Sequence, residues 1–167
     1  MAATRWVRAF VVSDDLIQRR GPWRFLPAMR FLERRAGRKP RIGQSRRISQ
    51  DIAEMGQDPY LGFADSDFSE IELLATPPRV RPRFLGLFGP FGPLPAAFTR
   101  EADRWASRGD RSFVRFADIF VTRFQQLFYR SWSDARPITQ FDHPSGGEFP
   151  RYLRSLSGDT SVHFDKW

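Results

Sequence analysis

Apolar residues at Phe113, Phe116, Phe120, Phe124, Leu127 and Phe128 are spaced three and four apart. That is the period of one face of an α-helix, and it predicts a long amphipathic helix over about residues 113–134, opened by Asp110 or Ser112 and closed by Pro137. Ile119, Val121 and Trp132 widen the stripe. Read as a core-facing stripe, it is rich enough in Phe to touch more than one neighbour. A second helical pattern starts at Pro22, with Phe25, Met29 and Leu32 on one side, Leu26 beside them, and Arg24, Arg30, Arg34 and Arg35 on the other. Gly37 and Pro40 mark its end. A third helix runs from Pro95 through Ala106 with a narrow face of Phe98, Ala102 and Trp105, and a last short one spans 149–156.

Strand signals are shorter. Residues 47–50, 60–63 and 80–88 read as β-strands, and Phe68 to Leu74 fits either a strand or a short helix. Pro82 implies an edge position or a bend in the strand that carries it. The fold class is therefore α+β, mostly helical with a small β-sheet. Residues 1–12 read as helix or strand, Ser13-Asp14-Asp15 as the cap of a short turn, and 159–167 as an irregular tail. The organisation expected is an N-terminal basic segment (1–38) carrying a partner-binding helix, a central body (39–158) and that tail.

One stretch breaks the pattern. From Arg83 to Pro95 the chain interleaves Gly86, Gly89, Gly92, Pro90, Pro93 and Pro95 with Phe84, Leu85, Leu87, Phe88, Phe91 and Leu94. Proline lacks the N–H a ladder needs and glycine weakens a strand, so a strand runs here into a rigid apolar loop. Phe88, Phe91 and Leu94 pack either on the chain's own core or on a partner.

Charge adds a second asymmetry. The formal net charge is +8, but residues 1–47 hold thirteen Arg or Lys against three acids, while residues 48–75 hold seven acids and no Arg or Lys. A basic segment beside an acidic one suits complementary docking, within the chain or between chains. The basic residues are nearly all Arg, whose planar fork pairs with carboxylates and stacks on aromatics. The absence of cysteine excludes disulfides, thiolate metal sites and a cysteine nucleophile. No run reaches the roughly 18 apolar residues of a membrane span, and no apolar leader core stands at the N-terminus, so the expectation is a cytoplasmic protein.

Chemistry-bearing constellations are missing. His143 follows Asp142 and lies two residues before Ser145, but adjacent side chains do not assume triad geometry and no nucleophile elbow occurs; the segment reads as a turn. Two histidines, His143 and His163, satisfy no zinc spacing. Asp65, Asp67, Glu70 and Glu72 lack the pattern of a calcium loop and read as a solvated acidic face. Gly86, Gly89 and Gly92 match neither phosphate-binding fingerprint. The chain reads as a non-enzyme without a metal or cofactor. Arg41, Arg46 and Arg47 beside Trp23 and Phe25 leave one alternative open, a basic nucleic-acid-binding module, although no recognition motif supports it.

Four blocks in order carry a resemblance. Phe84-Leu85-Gly86-Leu87-Phe88-Gly89-Pro90 through Gly92-Pro93-Leu94-Pro95 resembles the central signature of the TssG family (also ImpH or VasB) of the bacterial type VI secretion baseplate. Phe116-Ala117-Asp118-Ile119-Phe120, Arg123 and Leu127-Phe128-Tyr129-Arg130-Ser131-Trp132 resemble its long helix. Pro22-Trp23-Arg24-Phe25 with Leu32-Glu33-Arg34 resembles its first helix. Pro40-Arg41-Ile42-Gly43 with Gly56-Gln57-Asp58-Pro59 resembles the family's segment after that helix. The resemblance implies a structural subunit of the baseplate wedge that bridges TssF and TssE to TssK by protein–protein contacts, in the cytoplasm at a baseplate docked on the inner membrane. It offers no catalytic residues. The interface candidates are Phe25, Met29, Leu32, Phe88, Phe91, Leu94, Phe120, Phe124, Phe128 and Trp132. Val121-Thr122 stand where the family commonly has His-His, and the family's C-terminal half is expected to be absent.

Overall fold

In the computed structural model, which describes residues 24–37, 39–142 and 148–158, the first element is helix α1, Phe25–Arg35. Its buried side is Phe25, Ala28, Met29, Leu32 and Glu33, and Gly37 follows it with φ +61°, a left-handed conformation that glycine enters without a Cβ clash. A single 3-10 turn, Ile48–Gln50, comes next. Three strands follow: β1 (Glu54–Met55), β2 (Phe68–Glu72) and β3 (Arg79–Pro82). Helix α2 (Ala96–Ser107), the long helix α3 (Ser112–Asp134), α4 (Pro137–Phe141) and α5 (Glu148–Leu156) complete the described chain. The class is mostly helical α+β with a small sheet, as the patterning predicts. No described helix is long and apolar enough to cross a membrane.

The sheet lies elsewhere than the strand signals place it. Residues 48–50 form the 3-10 turn, 60–63 are irregular, and the strand expected over 80–88 ends at Pro82. The ambiguous 68–74 segment is a strand to Glu72. β3 is central, parallel to β1 and antiparallel to β2. Pro82 is thus not on an edge strand. It is tolerated because it is the last residue of β3, beyond an irregularity between Phe68 and Glu70 in the pairing with β2.

Two packed clusters make the interior. The first joins Phe25, Met29 and Leu32 of α1 with Ile42, Ile52, Met55, Phe68, Leu73, Val80 and Tyr129. Helix α1 therefore shares one core with the body. The second gathers Phe88, Ala102, Val114 and Ala117 under Leu87, Leu94 and Phe113. Phe88 is 1% exposed, so the Gly-Pro loop folds onto the chain's own core. Gln57 fixes it there: its Oε1 accepts the Phe88 N–H at 2.9 Å and its Nε2 donates to the Phe88 carbonyl at 3.1 Å. A Cβ on Gly86 would stand 2.1 Å from that Oε1, which is why glycine is needed at this point of the signature.

A polar knot ties α1 to α3. Glu33, 1% exposed, accepts from the Tyr129 hydroxyl at 2.9 Å and from Arg41 Nε and the Ile42 N–H at 3.2 Å each. Arg41 continues to Ser133 Oγ at 2.5 Å and Asp134 at 3.3 Å. A buried carboxylate survives only with such complete pairing. Burial, and then the neighbouring Glu33 charge, push the Tyr129 phenol well above its ordinary range, so it stays protonated and donating.

The acidic stretch docks within the chain. Asp58 pairs with Arg81 at 2.8 Å and with Arg111, Asp65 with Arg83 at 3.0 Å, Asp67 with Arg24 at 3.5 Å, and Glu54 and Glu72 with Arg79. Its countercharge comes mostly from β3 and the residue after it, rather than from the basic N-terminal segment.

Candidate functional site

Helix α3 buries the face opposite to the one its Phe spacing marks. The buried side chains are Val114, Ala117, Val121, Gln125, Gln126, Tyr129 and Ser133. Across the helix, Phe116 is 56% exposed, Ile119 64%, Phe120 48%, Phe124 51%, and Leu127 and Phe128 43% each. The core-facing stripe expected from the sequence is thus corrected to an outward-facing aromatic row.

Hydrogen bonding explains the inversion. The segment from Gly43 to Gln57 is largely irregular, so its backbone groups lack a full ladder and must find partners elsewhere. Helix α3 supplies them. Thr122 Oγ1 donates to the Met55 carbonyl at 2.8 Å, Gln125 Nε2 to Gly56 at 3.4 Å, and Arg123 and Arg130 to Gly43 at 3.2 and 3.3 Å. Asp118 accepts the Gln57 N–H at 2.9 Å. These bonds need close approach: a Cβ on Gly56 would meet Asp118 Oδ1 at 2.5 Å. Phe side chains on this side would hold the backbones apart and leave those groups buried without partners, at about 1–3 kcal/mol each. Small and polar residues therefore go inward and the Phe row goes out.

Beneath the row, Arg81 holds Asp118 at 3.0 Å and the Gln57 carbonyl at 2.9 Å. Burial raises the Asp118 carboxyl above the ordinary value despite the Gln57 N–H and the Arg81 charge. For Arg81, burial would lower the guanidinium, but Asp118 and Asp58 together hold it above its ordinary value. These groups are structural ties between β3 and α3.

The apolar surface extends beyond α3's own row. Phe116 and Phe120 stack edge to face at 5.5 Å. Phe128 joins Phe25 and Phe84 at 6.1 and 5.9 Å. Toward the start of α3, Phe113 meets Trp105 at 6.4 Å, and a groove of about 310 Å³ opens between Phe98, Ala102, Trp105 and Phe113. Phe91, 85% exposed, lies beside the equally open Phe63 at 6.2 Å.

Of the interface candidates, Phe120, Phe124 and Phe128 come together on this face, and Phe91 is exposed on its loop. Leu94 and Trp132 are half-buried against the second and first clusters. Phe25, Met29, Leu32 and Phe88 are corrected to core residues, each at most 2% exposed; a side chain without accessible surface offers a partner nothing while the fold stays closed. Sequence spacing alone did not mark Phe116, Ile119, Leu127, Phe98 and Trp105 as surface. The available signal was the opposite side of α3, where Val114, Ala117, Val121, Gln125 and Ser133 also keep helical spacing with smaller or hydrogen-bonding side chains.

No group of three His, Cys, Asp or Glu able to hold a metal occurs among the described residues. His143, His163, the Ser145 turn, residues 1–12, the Ser13-Asp14-Asp15 cap, Pro22-Trp23 and the 159–167 tail lie outside them.

The family model described as "Type VI secretion, TssG" matches residues 22–166, which takes in the Gly-Pro loop, the Gln57 clamp that holds it and the whole of α3. No curated protein and no solved structure is significantly similar to the chain. With that match spanning most of its length, the chain belongs to the TssG family, structural components of the type VI secretion baseplate.

Proposed function

We propose that this chain is a non-enzymatic subunit of the baseplate wedge that bridges TssF and TssE to TssK, and that the outward face of α3 is where the first of these partners docks. The observation that carries the reading is the run of half-exposed Phe116, Ile119, Phe120, Phe124 and Leu127 on the face opposite the helix's buried side. Apolar patches beyond a few hundred Å² are rare on free monomers and mark interaction sites. Docking in the cytoplasm at the inner membrane belongs to the same assignment.

The test is co-purification of the full chain with its cognate TssF, TssE and TssK. Phe120→Asp with Phe124→Asp places charges in a surface that must lose water on binding. The double variant should fold with an unchanged melting temperature and lose TssF. Retention of all three partners by a folded double variant would remove this face from the wedge. The basic nucleic-acid module has no supporting motif, and any DNA contact should be salt-sensitive and sequence-independent.

A further inference from the structure

Beside the aromatic row lies a cleft of about 540 Å³ between residues 45–55 and the first half of α3. Arg46, Arg47, Arg115 and Arg123 line it with Ile48, Met55 and Ile119. Among the described residues, Arg46, Arg47, Arg115 and Arg123 have no carboxylate partner; Arg123 is bonded to neutral oxygens of Gly43 and Gln126. Of the three acids of the same cleft two hold arginines, and only Asp51 keeps its charge, against the four arginines. Asp118 holds Arg81, Glu54 pairs with Arg79, and Asp51 accepts from the Ser45 hydroxyl. The cleft therefore carries surplus positive charge, in a chain that satisfies Asp58, Asp65 and Asp67 with its own arginines.

Its apolar lining is also open. Ile48, on the 3-10 turn, is 88% exposed and Ile119 is 64% exposed, and they flank the guanidinium groups. An occupant must offer carboxylates to the arginines and an apolar side chain between the two isoleucines. We propose that this cleft binds an acidic segment of a protein partner in which Asp or Glu alternates with Leu, Ile or similar residues. Arg forks pair bidentately with carboxylates. A nucleic-acid strand fits less well, because no aromatic lines the cleft for base stacking. A second copy's acidic stretch is mostly committed within its own chain, through Glu54, Asp58, Asp65, Asp67 and Glu72. The inference stands apart from the aromatic-row reading, since the two surfaces share only the border residue Ile119.

The experiment measures fluorescence anisotropy of a labelled peptide of alternating Glu and Leu added to the full chain. Parallel arms use an oligo-Glu peptide of equal charge and a single-stranded oligonucleotide. Arg47→Glu with Arg115→Glu should weaken the Glu-Leu peptide at least tenfold, while Arg104→Glu on α2 should leave it unchanged. The Phe120→Asp, Phe124→Asp variant should also bind it normally, which separates failure of this site from failure of the aromatic row. Oligo-Glu should bind more weakly than the mixed peptide. The proposal is overturned if the mixed peptide does not bind, if Arg104→Glu weakens it as much as the cleft variant, if oligo-Glu binds equally well, or if the oligonucleotide binds tighter than the peptide. Circular dichroism melts of each variant establish folding; should the charge reversal unfold the chain, Arg47→Gln with Arg115→Gln makes the same comparison.

Discussion

Several single residues are held by contacts that leave them little freedom. Gly86 is fixed by the Gln57 amide, itself 1% exposed and bonded twice to Phe88. Gly86→Ala should cost at least about 2 kcal/mol, since the amide cannot move without leaving buried groups unpaired; urea unfolding measures it. Glu33→Ala leaves Arg41, whose side chain is 10% exposed, with Asp134 as its one carboxylate and takes the acceptor from the Tyr129 hydroxyl and the Ile42 N–H, and should cost about 3–5 kcal/mol. Tyr129→Phe removes the neutral hydroxyl and its bonds but leaves the Glu33–Arg41 pair, and should cost about 1–3 kcal/mol, so the two variants should differ clearly in the same denaturation series. Met29→Asp with Leu32→Asp, a natural choice for disabling a surface helix, should instead unfold the chain, because both side chains are in the core. At the start of α3, Asp110 accepts the Ser112 N–H at 2.9 Å, and hydrogen bonding to Ser112 holds its carboxyl below the ordinary 3.8. A depressed folded value means a contribution present above pH 3.8 and lost as the pH falls through the folded value. Asp110→Ala should therefore lower the melting temperature at neutral pH and leave it unchanged in strong acid.

At the scale of elements, α3 is a helix with two apolar candidate faces, and its neighbours choose between them. Helical spacing fixed its existence and length: the expected 113–134 is observed as Ser112–Asp134. Which face turns inward was set by Gly43, Gly56 and the backbone carbonyls of Gly43, Met55 and Gly56 that α3 must satisfy, a long-range need that spacing along α3 does not encode. Enlarging the inner face should be costly. Ala117→Leu forces extra volume into the second cluster, where Ala117 is 1% exposed, and should destabilise the fold by about 1–3 kcal/mol. The same enlargement on the outer face, at Ser131, should be nearly silent in thermal melts. Equal losses at the two positions would contradict the assignment of faces.

For the whole molecule, the consequence is an exposed aromatic surface on a chain that belongs to an assembly. Expressed alone, it should self-associate or precipitate, and co-expression with cognate TssF should give a soluble complex. Size-exclusion chromatography with light scattering decides this; a well-behaved monomer unaffected by TssF contradicts the reading. The charge asymmetry works differently from the simplest expectation of one end docking on the other. The acidic stretch is mostly neutralised by Arg79 and Arg81 of β3 and by Arg83 just after it, which leaves part of the basic segment, at Arg46 and Arg47, available for an outside partner.

The family, the mostly helical class, the helices α1, α2, α3 and α5 and the Gly-Pro loop were determined by the sequence itself, because helical periodicity, proline and glycine act within a few residues of where they stand. The strands were legible only in part: β1 has two residues and β3 ends at a proline, too short for alternation to declare them, and their pairing joins segments far apart in the chain. Of the expected interface residues Phe120, Phe124 and Phe128 stay exposed, whereas Phe25, Met29, Leu32 and Phe88 have the same chemistry and the opposite fate. Hydrophobicity is a property of the side chain, but burial is decided by what packs against it. Only the tertiary structure, through the close approach of Gly56 to Asp118 and the closing of Gln57 on Phe88, could decide which aromatics turn inward and which stay exposed.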